Sequence, residues 1–99
     1  MLLRRIIKTE LLYLDFSQNN ISIIHRDFFA IFYDLEKLLL NSNLLETLDT
    51  NTFEYNLNLK YVDLSSNKLK RLPTMLFTRN TILEHLILKD NEIAQIDIF

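Results

Sequence analysis

Cysteine is absent from this 99-residue chain, which removes disulfide bridges, thiolate metal sites and thiol nucleophiles together. Glycine is absent too, and proline occurs once, at Pro73. A glycine loop cradling a phosphate is therefore excluded. The turns fall to Asn, Asp and Ser, which tolerate left-handed backbone and bond to nearby main chain. No charge sign dominates either: 11 Lys and Arg stand against 13 Asp and Glu, a formal net charge of -2. A phosphate-binding surface needs a clear cationic excess, so nucleic acid is not an expected partner. No apolar run approaches the roughly 18 residues of a membrane span. Residues 1–8 also lack an apolar stretch of signal-peptide length, so direct membrane insertion is not expected. A chain of this length makes one small domain.

What is present is one phrase written four times. Asn19, Asn43, Asn67 and Asn91 lie 24 residues apart. Around them the chain reads LLYLDFSQNNI from Leu11, LEKLLLNSNLL from Leu35, LKYVDLSSNKL from Leu59 and LEHLILKDNEI from Leu83. All four fit L-x-x-L-x-L-x-x-N-x-L, with Phe, Val or Ile replacing Leu in places. The division this implies is an irregular flank or partial repeat over residues 1–10, then repeats over 11–34, 35–58 and 59–82, and a shortened fourth over 83–99.

Just before each Asn, apolar residues stand at every second place (Leu14 and Phe16, Leu38 and Leu40, Val62 and Leu64, Leu86 and Leu88), which predicts a short strand with one buried face. No repeat can cover its own apolar face, so the strands stack in parallel and the core runs through the stack. The Asn side chain has both donors and an acceptor, and it follows the strand where main-chain groups are left open. Its predicted role is a structural ladder; removing one amide should cost about 1–3 kcal/mol. Ile21, Leu45, Leu69 and Ile93 form a further apolar set, as do Ile24, Leu48, Leu72 and Ile96. Phe29, Phe53 and Phe77 recur at the same interval and are expected to pack as a spine. Asp27–Tyr33 is expected to make about two helical turns, with one short turn or a 3-10 piece over Thr50–Tyr55 and over Met75–Asn80.

Period, apolar positions and Asn together resemble the leucine-rich repeat family over residues 11–99. The 24-residue length, with Phe at the nineteenth place, is similar to the subtype common in extracellular receptors and matrix proteins. The resemblance implies an α/β solenoid: short parallel strands on a concave face, and loops with short helical or 3-10 turns on a convex one. It further implies that the concave face binds another macromolecule. Two departures stand out. The position three after the spine Phe is usually apolar, but Asn56 and Asn80 follow Phe32 there, which either weakens the outer packing or recruits a turn bond. The fourth copy also ends before its own spine residue, and neither terminus resembles a capping module. Uncapped solenoid ends lead us to expect a piece of a longer array, or self-association through those ends.

On the strand assignment, three rows line the concave face. The first is Tyr13, Lys37, Tyr61 and His85; the second is Asp15, Leu39, Asp63 and Ile87; the third is Ser17, Asn41, Ser65 and Lys89. All but Ser17 are taken as candidate partner-binding residues. Tyr13 and Tyr61 supply the rigid amphipathic area found at binding hot spots, and Leu39 and Ile87 are large apolar groups at solvent-facing positions. Glu36, Lys60 and Glu84 alternate in sign beside these rows, which predicts cross-strand pairing. Lys68, Lys70 and Arg71 form one basic cluster and Arg4, Arg5 and Lys8 another, with Glu46 and Glu92 in flanking repeats.

Catalysis finds no foothold. Asp15 and Asp63 share a row but lie two strands apart, roughly 10 Å from the strand spacing, too far to share a proton. His25 and His85 fall in different parts of the repeat, so no metal pair is expected. No enzyme activity, cofactor or metal is therefore expected. Asn20-Ile21-Ser22 is an N-glycosylation sequon, with Asn20 as acceptor. The leading expectation is a recognition module of an extracellular or cell-surface receptor-type protein, binding a protein or glycoconjugate. The alternatives are a cytoplasmic adaptor, a regulatory segment of a larger enzyme, or an incomplete gene product.

Overall fold

The computed structural model describes residues 11–96. Four three-residue strands recur 24 positions apart: β1 (Tyr13–Asp15), β2 (Lys37–Leu39), β3 (Tyr61–Asp63) and β5 (His85–Ile87). They form one parallel sheet in the order β1-β2-β3-β5, with no slip in register. Leu14, Leu38, Val62 and Leu86 thus stand side by side on the inner face, and the rows on either side of them look outward. Each crossover from one strand to the next winds around the core, so the chain is a solenoid with its sheet on one side.

The core follows from the repeat. Leu35, Leu38, Leu40, Leu45, Leu59, Val62, Leu64 and Leu69 have no exposed surface at all. Opposite the sheet, the rings of Phe29 and Phe53 stack with centroids 5.9 Å apart, and those of Phe53 and Phe77 at 5.5 Å and 7°. A fixed axial step brings identical side chains into contact, which is why a ring at one place per repeat becomes a column. At the first repeat, Phe28 packs edge-on against Phe29 at 5.0 Å and Phe16 at 5.9 Å.

Leaving the strand without glycine has a visible consequence. Gln18, Ser42, Ser66 and Asp90, each one residue before the ladder Asn, take φ between 55° and 61°. Such left-handed backbone disfavours residues with a Cβ by about 1–2 kcal/mol. The next repeat holds it: the Gln18, Ser42 and Ser66 N–H groups donate to the Asn41, Ser65 and Lys89 carbonyls at 3.0, 3.0 and 2.9 Å. The Asn amides tie the same turn. Asn67 Nδ2 donates to the carbonyls of Leu64 and Ser65 in its own repeat, both at 3.1 Å, and to Leu40 of the preceding repeat at 3.0 Å. Its Oδ1 accepts from the Leu45 N–H at 3.0 Å. Asn43 and Asn91 bond backward in the same way, to Phe16 and Leu64. Asn19 donates within its own repeat, to the Phe16 and Ser17 carbonyls.

The helical expectation for Asp27–Tyr33 is not met. Instead, the Phe28, Ala30, Phe32 and Leu35 N–H groups donate to carbonyls three residues back, a series that skips positions where a helix would bond at each one. The same broken series runs through Asp49–Leu59 and Pro73–Leu83. Seven residues are too few to offset helix nucleation. The backbone spacing is also set by lateral bonds to the neighbouring repeat. Asn56 and Asn80 supply those bonds: each is at most 4% exposed. Asn56 Nδ2 donates to the Phe29 and Phe32 carbonyls at 2.9 and 3.0 Å, and Asn80 Nδ2 to those of Phe53 and Asn56 at 3.1 and 2.8 Å. Of the two outcomes open from the sequence, the turn bond is the one realised. Two further short strands, β4 (Arg71–Leu72) and β6 (Gln95–Ile96), pair in parallel on the way to the outer side, an element the sequence pattern did not disclose.

The ladder predicts a gradient of cost. Asn67→Ala strands interior carbonyls and one N–H, and should lower unfolding free energy by about 1–3 kcal/mol. Asn19→Ala, at an exposed position, should cost less than half as much. Urea denaturation of the two variants measures the difference, and equal losses would contradict the ladder's role.

Candidate functional site

The outward face of the sheet is built by register alone. In its first row Lys37 lies between two tyrosine rings, its Nζ 5.5 Å from the Tyr13 centroid and 4.7 Å from that of Tyr61. The Tyr61 ring continues the row to His85 at 5.5 Å. An ammonium over aromatic faces is held by the ring quadrupole, so a long flexible side chain becomes part of an ordered row. Tyr13 remains half exposed.

The second row alternates acid and hydrocarbon: Asp15, Leu39, Asp63, Ile87. Asp15 is exposed, and the other three are half-buried. Both carboxylates are fixed by the same local turn. Asp15 Oδ1 accepts from the Ser17 N–H at 2.9 Å and its hydroxyl at 2.5 Å; Asp63 Oδ1 accepts from Ser65 at 2.9 and 2.6 Å. At Asp15 these bonds favour the charged form. For Asp15 the Ser17 hydroxyl, then its N–H, holds the carboxyl below its ordinary value of 3.8. The carboxylates therefore present acceptors on a rigid strand end.

The third row contributes less surface. Ser65 is only 6% exposed and its hydroxyl is committed to Asp63, so among the candidate contact residues it is withdrawn from the face. Asn41 is half-buried, with Oδ1 covered and accepting no bond among the described residues. Lys89 is exposed. Beside the rows, Lys60 pairs with Glu36 at 3.7 Å, both half exposed. A pair of that kind contributes little. Asn20 of the sequon is exposed, as is Ser22.

The residues weighed for chemistry stay apart. Asp15 and Asp63 are separated by β2. His25 Nδ1 accepts from the Asp27 N–H at 3.2 Å in the outer turns, far from His85 on β5. Among the described residues no group of three His, Asp or Glu is arranged to hold a metal ion, and no helix is long and apolar enough to cross a membrane. The flank over residues 1–10, with Arg4, Arg5 and Lys8, lies outside the described residues, as does the chain end after Ile96. One feature escaped the sequence reading: an apolar pocket of about 210 Å³ lined by Phe16, Ile21, Ile24, Phe28 and Phe29 among others. Its signal was the extra aromatic residue at Phe28, where the later repeats have Thr52 and Leu76.

Comparison with known proteins agrees with this geometry. The leucine rich repeat family model matches residues 34–93. No curated protein sequence matches the chain. Among solved structures, it is similar to a chain in the crystal structure of a TLR13–ssRNA13 complex, with a TM-score of 0.83 and 33% identity. That match covers 95% of this chain and 13% of the other, so the protein spans a small part of its neighbour's length.

The Asp15–Ser17 turn gives a titration test. The Asp15 carboxyl should titrate below 3.8, and Ser17→Ala should move its midpoint upward. The turn then contributes stability that is present above the ordinary carboxylate range and is lost as pH falls through the lowered midpoint. Carboxyl chemical shifts followed by NMR report both; an unchanged midpoint in Ser17→Ala would contradict the assignment.

Proposed function

Because the chain belongs to the leucine-rich repeat family, we propose that it is a recognition module binding a protein partner through the exposed sheet face, within a receptor-type protein at or outside the cell surface. The observation that carries this reading is the Tyr13–Lys37–Tyr61–His85 row. Tyr13, Lys37 and His85 are exposed and Tyr61 is half-buried, and the row is already ordered, so little side-chain freedom is lost when a partner docks on it. Leu39 and Ile87 add half-buried apolar area beside it, and the core holds all of these positions without needing their side chains. Among the described residues no acid, base and nucleophile converge in a way that would point to catalysis. A glycoconjugate would meet the same aromatic and carboxylate groups. The sequon at Asn20 fits the extracellular setting.

A second reading comes from the structural neighbour, which is held in a complex with ssRNA. Lys37, Lys89 and the tyrosine faces favour RNA here, since bases stack on aromatic rings. Asp15 and Asp63 oppose it, because they set fixed negative charge in the middle of the face. Protein is the better fit on charge.

A photo-crosslinking residue placed at Tyr61 should yield discrete products with proteins of the cell surface. One placed at Tyr55, in the outer turns, should not. Tyr61→Ala with Leu39→Ala should weaken capture by a factor of about 30 or more, as for a hot-spot pair, while leaving the unfolding transition cooperative. Products concentrated at position 55, or binding unchanged in the double variant, would move the site off the sheet.

A further inference from the structure

The second row has a period that matches another kind of protein element. Asp15, Leu39, Asp63 and Ile87 are neighbours in strict register, so they lie at steps of about 4.8, 9.6 and 14.4 Å along the row. On an α-helix, residues at i+3, i+7 and i+10 sit about 4.5, 10.5 and 15 Å along the axis from residue i, within one narrow face. The two series stay in step over the whole row. An extended peptide does not: its same-face residues recur at about 6.7 Å and fall out of phase at once. The width fits as well, since three-residue strands make a face about 10 Å across, the diameter of one helix.

We propose that the exposed sheet face takes an amphipathic helix of a partner protein lying across the strands, with basic residues at i and i+7 over Asp15 and Asp63 and apolar residues at i+3 and i+10 over Leu39 and Ile87. This rests on the sheet face being the binding surface and names its occupant. Charge decides the basic positions. Each carboxylate has one oxygen fixed by a serine two residues on, so the acids stay oriented, with their remaining acceptor capacity for a cation. The apolar positions between them would shield those ion pairs from water. Lys37 keeps its charge but forms no ion pair with either carboxylate among the described residues, its ammonium lying between Tyr13 and Tyr61. That aromatic row flanks the helix on one side, and Asn41 and Lys89 flank it on the other.

The test uses the full 99-residue chain and fluorescent Ala-based helical peptides of about 18 residues. One carries Lys and Leu in the stated stripe, a second has the same composition with the stripe permuted, and a third has Glu in place of Lys. Fluorescence anisotropy should show the striped peptide binding at least about tenfold more tightly than the permuted one, with the Glu peptide and an oligouridine failing to compete. Asp15→Asn with Asp63→Asn should erase that preference; Asn keeps the Oδ1 acceptor for the serines, and circular dichroism checks that the fold persists. Equal binding of striped and permuted peptides, binding of none, or displacement by oligouridine overturns the helical occupant. If striped and permuted peptides bind equally but both are lost in Tyr61→Ala, the sheet face stands and only the helix is wrong. If binding ignores Asp15, Asp63 and Tyr61 alike, the sheet-face reading fails with it.

Discussion

Between one repeat and the next, the chain must turn out of a three-residue strand and bury what it leaves behind. The amide of one asparagine per repeat makes that turn tenable. Its Nδ2 reaches carbonyls of its own repeat and the one before, and its Oδ1 closes onto an N–H of the preceding repeat. The turn itself is left-handed at Gln18, Ser42, Ser66 and Asp90, in a chain with no glycine to relieve it. Local preference alone would not keep those residues there. The lateral bonds do, and so each turn is stable only because a neighbour exists. This is the energetic logic of a solenoid, in which stability resides in the interfaces between repeats.

The outer side solves the same problem with a second set of amides. Asn56 and Asn80 sit where Phe32 stands in the first repeat, and they exchange aromatic packing for hydrogen bonds to carbonyls of the preceding repeat. Their own Oδ1 atoms accept nothing among the described residues, so part of the gain is offset by burying an acceptor. With both sides of the stack tied laterally, the sheet's outward rows carry little of the fold beyond the Asp15–Ser17 and Asp63–Ser65 turns. Tyr13 and Lys37 stand exposed outside the core, so their chemistry is free to vary, which is the physical condition for a recognition surface. What the rows form is ordered all the same: rings holding an ammonium, and carboxylates held by serines.

The strands were legible in the sequence because their signal is redundant. Leu14, Leu38, Val62 and Leu86 hold the same place four times over, each two before another apolar residue, and one asparagine follows each. The Phe29–Phe53–Phe77 column was legible for the same reason. The outer turns were not. Asp27–Tyr33 has the composition of a helix, but composition reports local preference, and here the lateral bonds of the stack decide the backbone spacing. Nor could the pattern show that Ser65 is buried under its bond to Asp63, since the sequence-identical Ser17 is only half-buried. Position along the stack makes that difference.

Sequence by itself determined the repeat, the strand positions, the buried apolar rows and, Ser65 excepted, which residues share the outward face. All of these depend on periodicity, and periodicity is fully written in the order of residues. Only the tertiary structure decided which groups meet across repeats. It set Lys37 between two tyrosines and bound the carboxylates to their serines. It also gave Asn56 and Asn80 their carbonyls, and drew β4 and β6 together. Those contacts depend on the axial step and on rotamers chosen against neighbours 24 positions away, and no local pattern contains them.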